Sequence, residues 1–219
     1  IARSTDPAAR EHATDVHHRL GICYFRLNRF AEAEREFRAY LNEAPDGPLA
    51  SESAYLQFRA AEGIYRANPT PEARSSFQAT VENFVTRFSD HDSAYEGWFR
   101  YAELLQADRR YSDAADAYTK VKGPPLFEIR AASAEIQSLA DALSAPPEDA
   151  DAAWAAELRT RVRHAYDRFE KLAAANPKLA AAELRARTTL SVAMAQSGGV
   201  APELQASLDA LPAEAAALL

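Results

Sequence analysis

Residues 20–37 read Leu20-Gly21-Ile22-Cys23-Tyr24-Phe25-Arg26-Leu27-Asn28-Arg29-Phe30-Ala31-Glu32-Ala33-Glu34-Arg35-Glu36-Phe37. Apolar and small side chains recur at three- and four-residue spacings on both sides of Leu27-Asn28-Arg29, the pattern of two helices joined by a tight turn. The arrangement then returns twice. Gly21, Ala61 and Ala102 stand 40 and 41 residues apart, and so do four further sets: Tyr24, Ile64 and Leu105; Ala33, Ala73 and Ala114; Phe37, Phe77 and Tyr118; Arg19, Arg59 and Arg100. Five columns in register define a repeated helix–turn–helix unit. In each unit the small residue precedes the alanine by twelve positions and the aromatic follows four later, on the same face of the second helix.

Close packing dictates those residue types. Antiparallel helices approach to roughly 8 Å only where Gly or Ala faces the neighbour. The aromatic four residues on fills the wedge toward the next hairpin and buries area that one hairpin alone cannot.

Working outward, breaks fall at Ala44-Pro45-Asp46-Gly47-Pro48, Asn68-Pro69-Thr70-Pro71, Ser89 to Asp92, Asp108 to Arg110 and Gly123-Pro124-Pro125. They continue at Ala145-Pro146-Pro147, Asn176-Pro177 and Ser197-Gly198-Gly199. Proline opens a helix or forbids its continuation, so the chain reads as about ten helices with short turns and no strand.

In Leu20-Gly21, Tyr24, Phe30, Ala33, Phe37 and Pro45 the first unit resembles the tetratricopeptide repeat (TPR), departing at His17 and Tyr40. The third unit is similar through Trp98, Ala102, Leu105, Tyr111, Ala114 and Tyr118. The second has Gln57 in place of the first aromatic and lacks the terminal proline. Ala165, Phe169, Leu172 and Pro177 fit the family's second helix, while its first helix, about Leu126 to Leu143, is degenerate and followed by the acidic linker 144–151. The resemblance implies an all-α fold, a right-handed solenoid of about five hairpins. Residues 1–125 are expected to hold three of them, 126–196 long or degenerate hairpins, and 197–219 a capping helix. Asn83 to Asp90, followed by Ala94 and Trp98-Phe99-Arg100, and Tyr40 to Ala50 resemble the junctions of long-repeat bacterial envelope TPR proteins such as the outer-membrane assembly lipoprotein and the Tol–Pal coordinator. That narrower likeness implies a periplasmic or outer-membrane-associated protein, with the cytoplasm as the alternative.

The formal charge of −7 and the absence of a Lys/Arg run argue against nucleic acid. Arginine far outnumbers lysine and alanine abounds, as in a high-GC, bacterial coding sequence. No stretch of about 18 apolar residues offers a membrane span. The chain opens at Ile1, so a removed leader or a longer parent is expected.

No catalytic motif is found. His12, His17 and His18 lack the i, i+4 spacing that presents two imidazoles to one metal, and they read as packing or surface histidines. Cys23, the single cysteine, reads as a buried thiol. Glu32, Glu72 and Asp113 fall in first helical turns, where the helix dipole favours them. Gly198-Gly199 reads as a helix stop rather than a phosphate loop. Neither a cofactor nor a metal is expected.

The family's groove positions fall on His18, Ile22 and Phe25, on Tyr55, Phe58, Glu62 and Tyr65, and on Glu96, Phe99, Glu103 and Gln106. The resemblance thus implies an aromatic, acid-edged groove that grips a peptide or partner protein. Those positions do not match the Lys, Asn and Arg clamps of the family's chaperone-tail receptors. Arg19, Arg59 and Arg100 neighbour the groove, with Glu62 and Glu103 in helical reach for ion pairs. As an alternative, Leu204, Leu208, Leu211, Leu218 and Leu219 suggest a segment of a larger assembly that docks by its convex face and ends.

Overall fold

The computed structural model describes residues 7–179 and 182–197. They form nine helices: α1 (Pro7–Arg26), α2 (Phe30–Glu43), α3 (Ala50–Ala67), α4 (Pro71–Arg87), α5 (Ala94–Ala107), α6 (Tyr111–Thr119), α7 (Pro125–Ser144), α8 (Ala152–Ala175) and α9 (Ala182–Ser197). The fold is all-α, with successive helices packed pairwise as in a TPR-like helical repeat. The expected tenth helix, Gly198-Gly199 and the terminal leucines lie outside the described residues. The chain divides into two compact units, residues 1–97 and 98–219, the division falling within α5.

In the first unit local chemistry sets the helix ends. Asn28 takes a positive φ of 56° and the Arg29 amide donates to the Tyr24 carbonyl at 2.9 Å, which closes α1 with a left-handed residue that Asn tolerates. Arg29 Nε then donates to Glu32 at 2.9 Å in the first turn of α2. At the head of α4 the Thr70 hydroxyl accepts from the Ala73 amide at 3.1 Å and Pro71 starts the helix, a cap contributing about 1 kcal/mol. Gly21 permits the close approach of α1 and α2: a Cβ there would stand 2.6 Å from the Phe37 ring. Phe37, Phe58 and Phe84 are fully buried, with Phe58 stacked on Phe84 at 5.3 Å.

The second unit repeats the first turn, 81 residues on. Arg109 has φ 59°, the Arg110 amide donates to the Leu105 carbonyl at 3.0 Å, and Arg110 Nε donates to Asp113 at 2.7 Å. Asp151 caps α8 by accepting from the Trp154 amide at 2.7 Å. Although α7 departs from the repeat columns, its alanines let it pack closely. Ala132 and Ala140 sit in one core with Ile129, Ile136 and Leu139, facing Val162, Ala165 and Phe169 of α8. Glu135 of α7 is buried against Arg168 of α8. Burial pushes the Glu135 carboxyl above its ordinary range although Arg168 opposes the shift.

Cys23 corrects the sequence reading: it is exposed. The face of α1 that contacts the second helix is set by Gly21, and Cys23 sits two residues away, about 200° around the helix.

Candidate functional site

The groove positions expected in the first unit divide into core and surface. His18 is buried: its Nδ1 hydrogen-bonds Ser53 Oγ at 2.8 Å and its ring lies edge-on to Phe37 and Tyr40, each at 5.9 Å. Burial lowers its pKa, a shift that Glu52 and Asp15 oppose. Phe58 is 0% exposed and Glu62 is also buried, so neither offers a partner a contact surface. Their sequence assignment to the groove is corrected on that ground. Phe58 fills the space between Tyr55 and Phe84, and Glu62 is flanked by Arg59 at 3.2 Å and Arg66 at 2.9 Å.

Ile22, Phe25, Tyr55 and Tyr65 are half-buried. Phe25 leans on Phe30 at 5.5 Å, Tyr65 stacks on Phe77 at 6.0 Å, and Tyr55 stacks on His91 at 5.4 Å. Glu96 accepts from the Tyr55 hydroxyl at 2.9 Å and pairs with Arg59. The acid edge is thus largely a set of internal ion pairs, because each carboxylate sits one helical turn from an arginine or faces one on the next hairpin.

The second unit holds a cleft of about 570 Å³. From α5 it takes Phe99, Arg100, Glu103 and Gln106, so three of the positions expected to line a groove come together here. Across from them α7 presents Leu126, Phe127, Arg130, Ser133, Ala134 and Gln137, and α9 presents Leu184, Arg187 and Ser191. Each set recurs at three- or four-residue spacing, one face of its helix. Phe99 meets Tyr118 at 5.6 Å and Phe127 at 5.8 Å, both edge-on, which leaves an apolar wall at one end.

Beneath that wall runs a polar floor. The Tyr118 hydroxyl donates to Gln106 at 3.1 Å, Ser191 Oγ donates to Gln137 Oε1 at 2.6 Å, and Gln137 Nε2 donates to Asp141 at 2.9 Å. Ser133 and Thr188 share a hydrogen bond of 2.7 Å. Burial raises the pKa of Tyr118, with Glu103 adding to it, and burial raises that of Asp141 against its hydrogen bonds from Gln137 and Gln106. The Ser191–Gln137 and Ser133–Thr188 bonds tie α7 to α9, and the others hold the floor's side chains on α5, α6 and α7.

The cleft's charge differs from the sequence expectation. Arg100, Arg130 and Arg187 line it with Glu103, which accepts from Arg100 at 2.7 Å, and the Asp141 carboxyl stands behind Gln137 in the floor. Sequence reading missed Arg130 and Arg187 because α7 and α9 leave the repeat columns. The signal present was the i, i+3, i+4, i+7 series Arg130, Ser133, Ala134, Gln137, a half-polar helix face.

Among the described residues no helix is long and apolar enough to cross a membrane, and no three His, Cys, Asp or Glu side chains gather to hold a metal. A family model described as tetratricopeptide repeat matches residues 14–46. No curated protein and no solved structure matches the chain. TPR repeats mediate protein–protein contacts and are generally non-catalytic. With its turn at Asn28 and its Gly21–Phe37 contact inside the matched span, the segment 14–46 is a tetratricopeptide repeat.

Proposed function

We propose that this protein is a non-catalytic interaction scaffold whose second unit grips a segment of a partner protein in the α5–α7–α9 cleft. The observation that carries the reading is the cleft of about 570 Å³ with an apolar wall at Phe99 and Phe127 and a hydrogen-bonded floor. An aromatic wall supplies contact area at little entropic cost, and a fixed polar floor supplies register. The likeness of the hairpin junctions to envelope TPR proteins supports a place in a bacterial envelope complex. The test is co-purification from native cells with Ala134→Trp, which fills the cleft from α7, against Lys171→Ala on α8. Loss of the partner with the first substitution alone, at unchanged helicity, is expected; equal recovery with both refutes the reading.

One observation favours a second reading, a structural segment that docks by its end. Val16 and Leu20 of α1 and Leu27 in the turn that follows it are 51%, 40% and 66% exposed, and with the exposed Cys23 they fall at spacings of four, three and four. Leu20→Lys with Leu27→Lys should then abolish assembly seen by light scattering. If the wild-type chain scatters as a monomer at high concentration, self-assembly through these residues is refuted.

A further inference from the structure

We infer that a cleft between α8 and α9 is a separate binding site, one that takes a small phosphomonoester dianion. The cleft has a volume of about 340 Å³, and its described lining is Ala156, Arg159, Thr160 and Arg163 of α8 with Gln196 of α9. It shares no described lining residue with the α5–α7–α9 cleft. The four α8 positions follow the i, i+3, i+4, i+7 spacing of one helix face, so both arginines stand on the same side. No carboxylate is among the described lining residues.

Elsewhere on these two helices arginine is paired with a carboxylate: Arg161 with Asp116, Arg168 with Glu135 and Arg185 with Glu170. Arg159 and Arg163 have neutral partners instead. Arg159 Nε donates to the Ala195 carbonyl at 3.2 Å, and Arg163 Nη2 donates to Thr160 Oγ1 at 3.1 Å. The first bond answers the carbonyl end of α9, a role that Arg163 does not have. Like charges four residues apart on a helix repel, and an anion lying between them removes the repulsion.

The donor set narrows the ligand. Thr160 gives its hydroxyl hydrogen to the Ala156 carbonyl at 2.9 Å, so it steadies Arg163 rather than meeting an anion. A guanidinium carries five N–H donors, and each of these two spends one within the described structure. With the amide of the exposed Gln196 they offer an anion two forks and a further donor. Two forks match the oxygens of a phosphoryl group, and two positive charges match its dianion. A single carboxylate would satisfy one fork and leave the other charge unanswered. A nucleic-acid strand would need a longer cationic track than two arginines provide.

The experiment is phosphorus NMR of inorganic phosphate, glycerol phosphate and dimethyl phosphate titrated with the full chain, line broadening reporting binding. Phosphate and glycerol phosphate should bind saturably, and dimethyl phosphate, a monoanion, about fivefold more weakly. Arg163→Gln should weaken phosphate binding about tenfold, and Arg163→Lys should retain part of it. Gln196→Glu, which places a carboxylate between the forks, should abolish it. Arg163 and Gln196 are exposed, so unchanged helicity certifies these variants as folded. Sedimentation with phosphatidylcholine vesicles containing phosphatidic acid distinguishes the sources of the dianion. Co-sedimentation that Gln196→Glu abolishes assigns a lipid headgroup, and phosphate binding without co-sedimentation assigns a soluble monoester; either bears out the site. No phosphate binding by the wild-type chain, equal binding by wild type and Gln196→Glu, or dimethyl phosphate bound as tightly as phosphate overturns the inference.

Discussion

Gly21→Ala puts the packing account at risk in a single atom. The added Cβ would stand 2.6 Å from Phe37 Cε1 and 2.8 Å from two further ring carbons. Phe37 is 0% exposed, walled by Ala33 and Ala60 and edge-on to His18, so the ring has nowhere to retreat and α1 must move off α2. Such overpacking costs about 1–3 kcal/mol, offset by about 0.5–1 kcal/mol from replacing a helical glycine. The net expectation is a loss of about 0.5–2 kcal/mol, a fall of roughly 0.5 M in urea midpoint at unchanged slope. Gly63→Ala is the control. Its Cβ would also stand 2.6 Å from a ring, that of Phe30, but Phe30 is half-buried and can swing toward solvent. That variant should stay within about 0.5 kcal/mol of wild type. Urea titration by far-UV circular dichroism reads both. A Gly21→Ala protein as stable as wild type, or a Gly63→Ala protein that loses more, refutes the reasoning.

His18 is held below its ordinary pKa of 6.5 by burial, so below that pH the unfolded chain binds more protons and stability falls as pH drops toward the folded value. His18→Gln should flatten the slope of urea midpoint against pH between about 6.5 and 5; an unchanged slope contradicts this. Arg168→Leu strands buried Glu135 and should cost about 3 kcal/mol, whereas Glu135→Gln should cost clearly less, both read by denaturant titration. Cys23 is exposed and should react with a thiol reagent in the folded protein as fast as in urea; marked protection would contradict its exposure.

Much of the first repeat was legible because its determinants are local. Gly21, Ala33 and Phe37 are spaced by the hairpin itself, and the turn at Asn28 and its copy at Arg109 lie where the helix periodicity stops. The groove was less legible. Phe58 and Phe99 occupy matching places in their repeats, 41 residues apart, yet Phe58 is sealed under Tyr55 and against Phe84 while Phe99 borders a cleft. Aromatic identity does not tell the two fates apart, since burial depends on what the neighbouring hairpin brings. Glu62 was half legible: its pair with Arg59 follows from helical spacing, while Arg66 on the other side and the burial of the carboxylate, which leave no anionic surface, do not. Cys23 was misread because residue type and an apolar stretch of sequence say nothing about direction; consecutive helical residues point about 100° apart. Arg130 and Arg187 were hidden because they belong to no repeated column.

The central claim, that the α5–α7–α9 cleft holds a partner protein, is tested most directly by placing a photo-crosslinking amino acid at position 134 in the native cell and identifying the adducts by mass spectrometry. The account predicts an adduct with a protein segment, formed from position 134 and not from position 171 on α8. No protein adduct at position 134, or the same adducts from both positions, would contradict it.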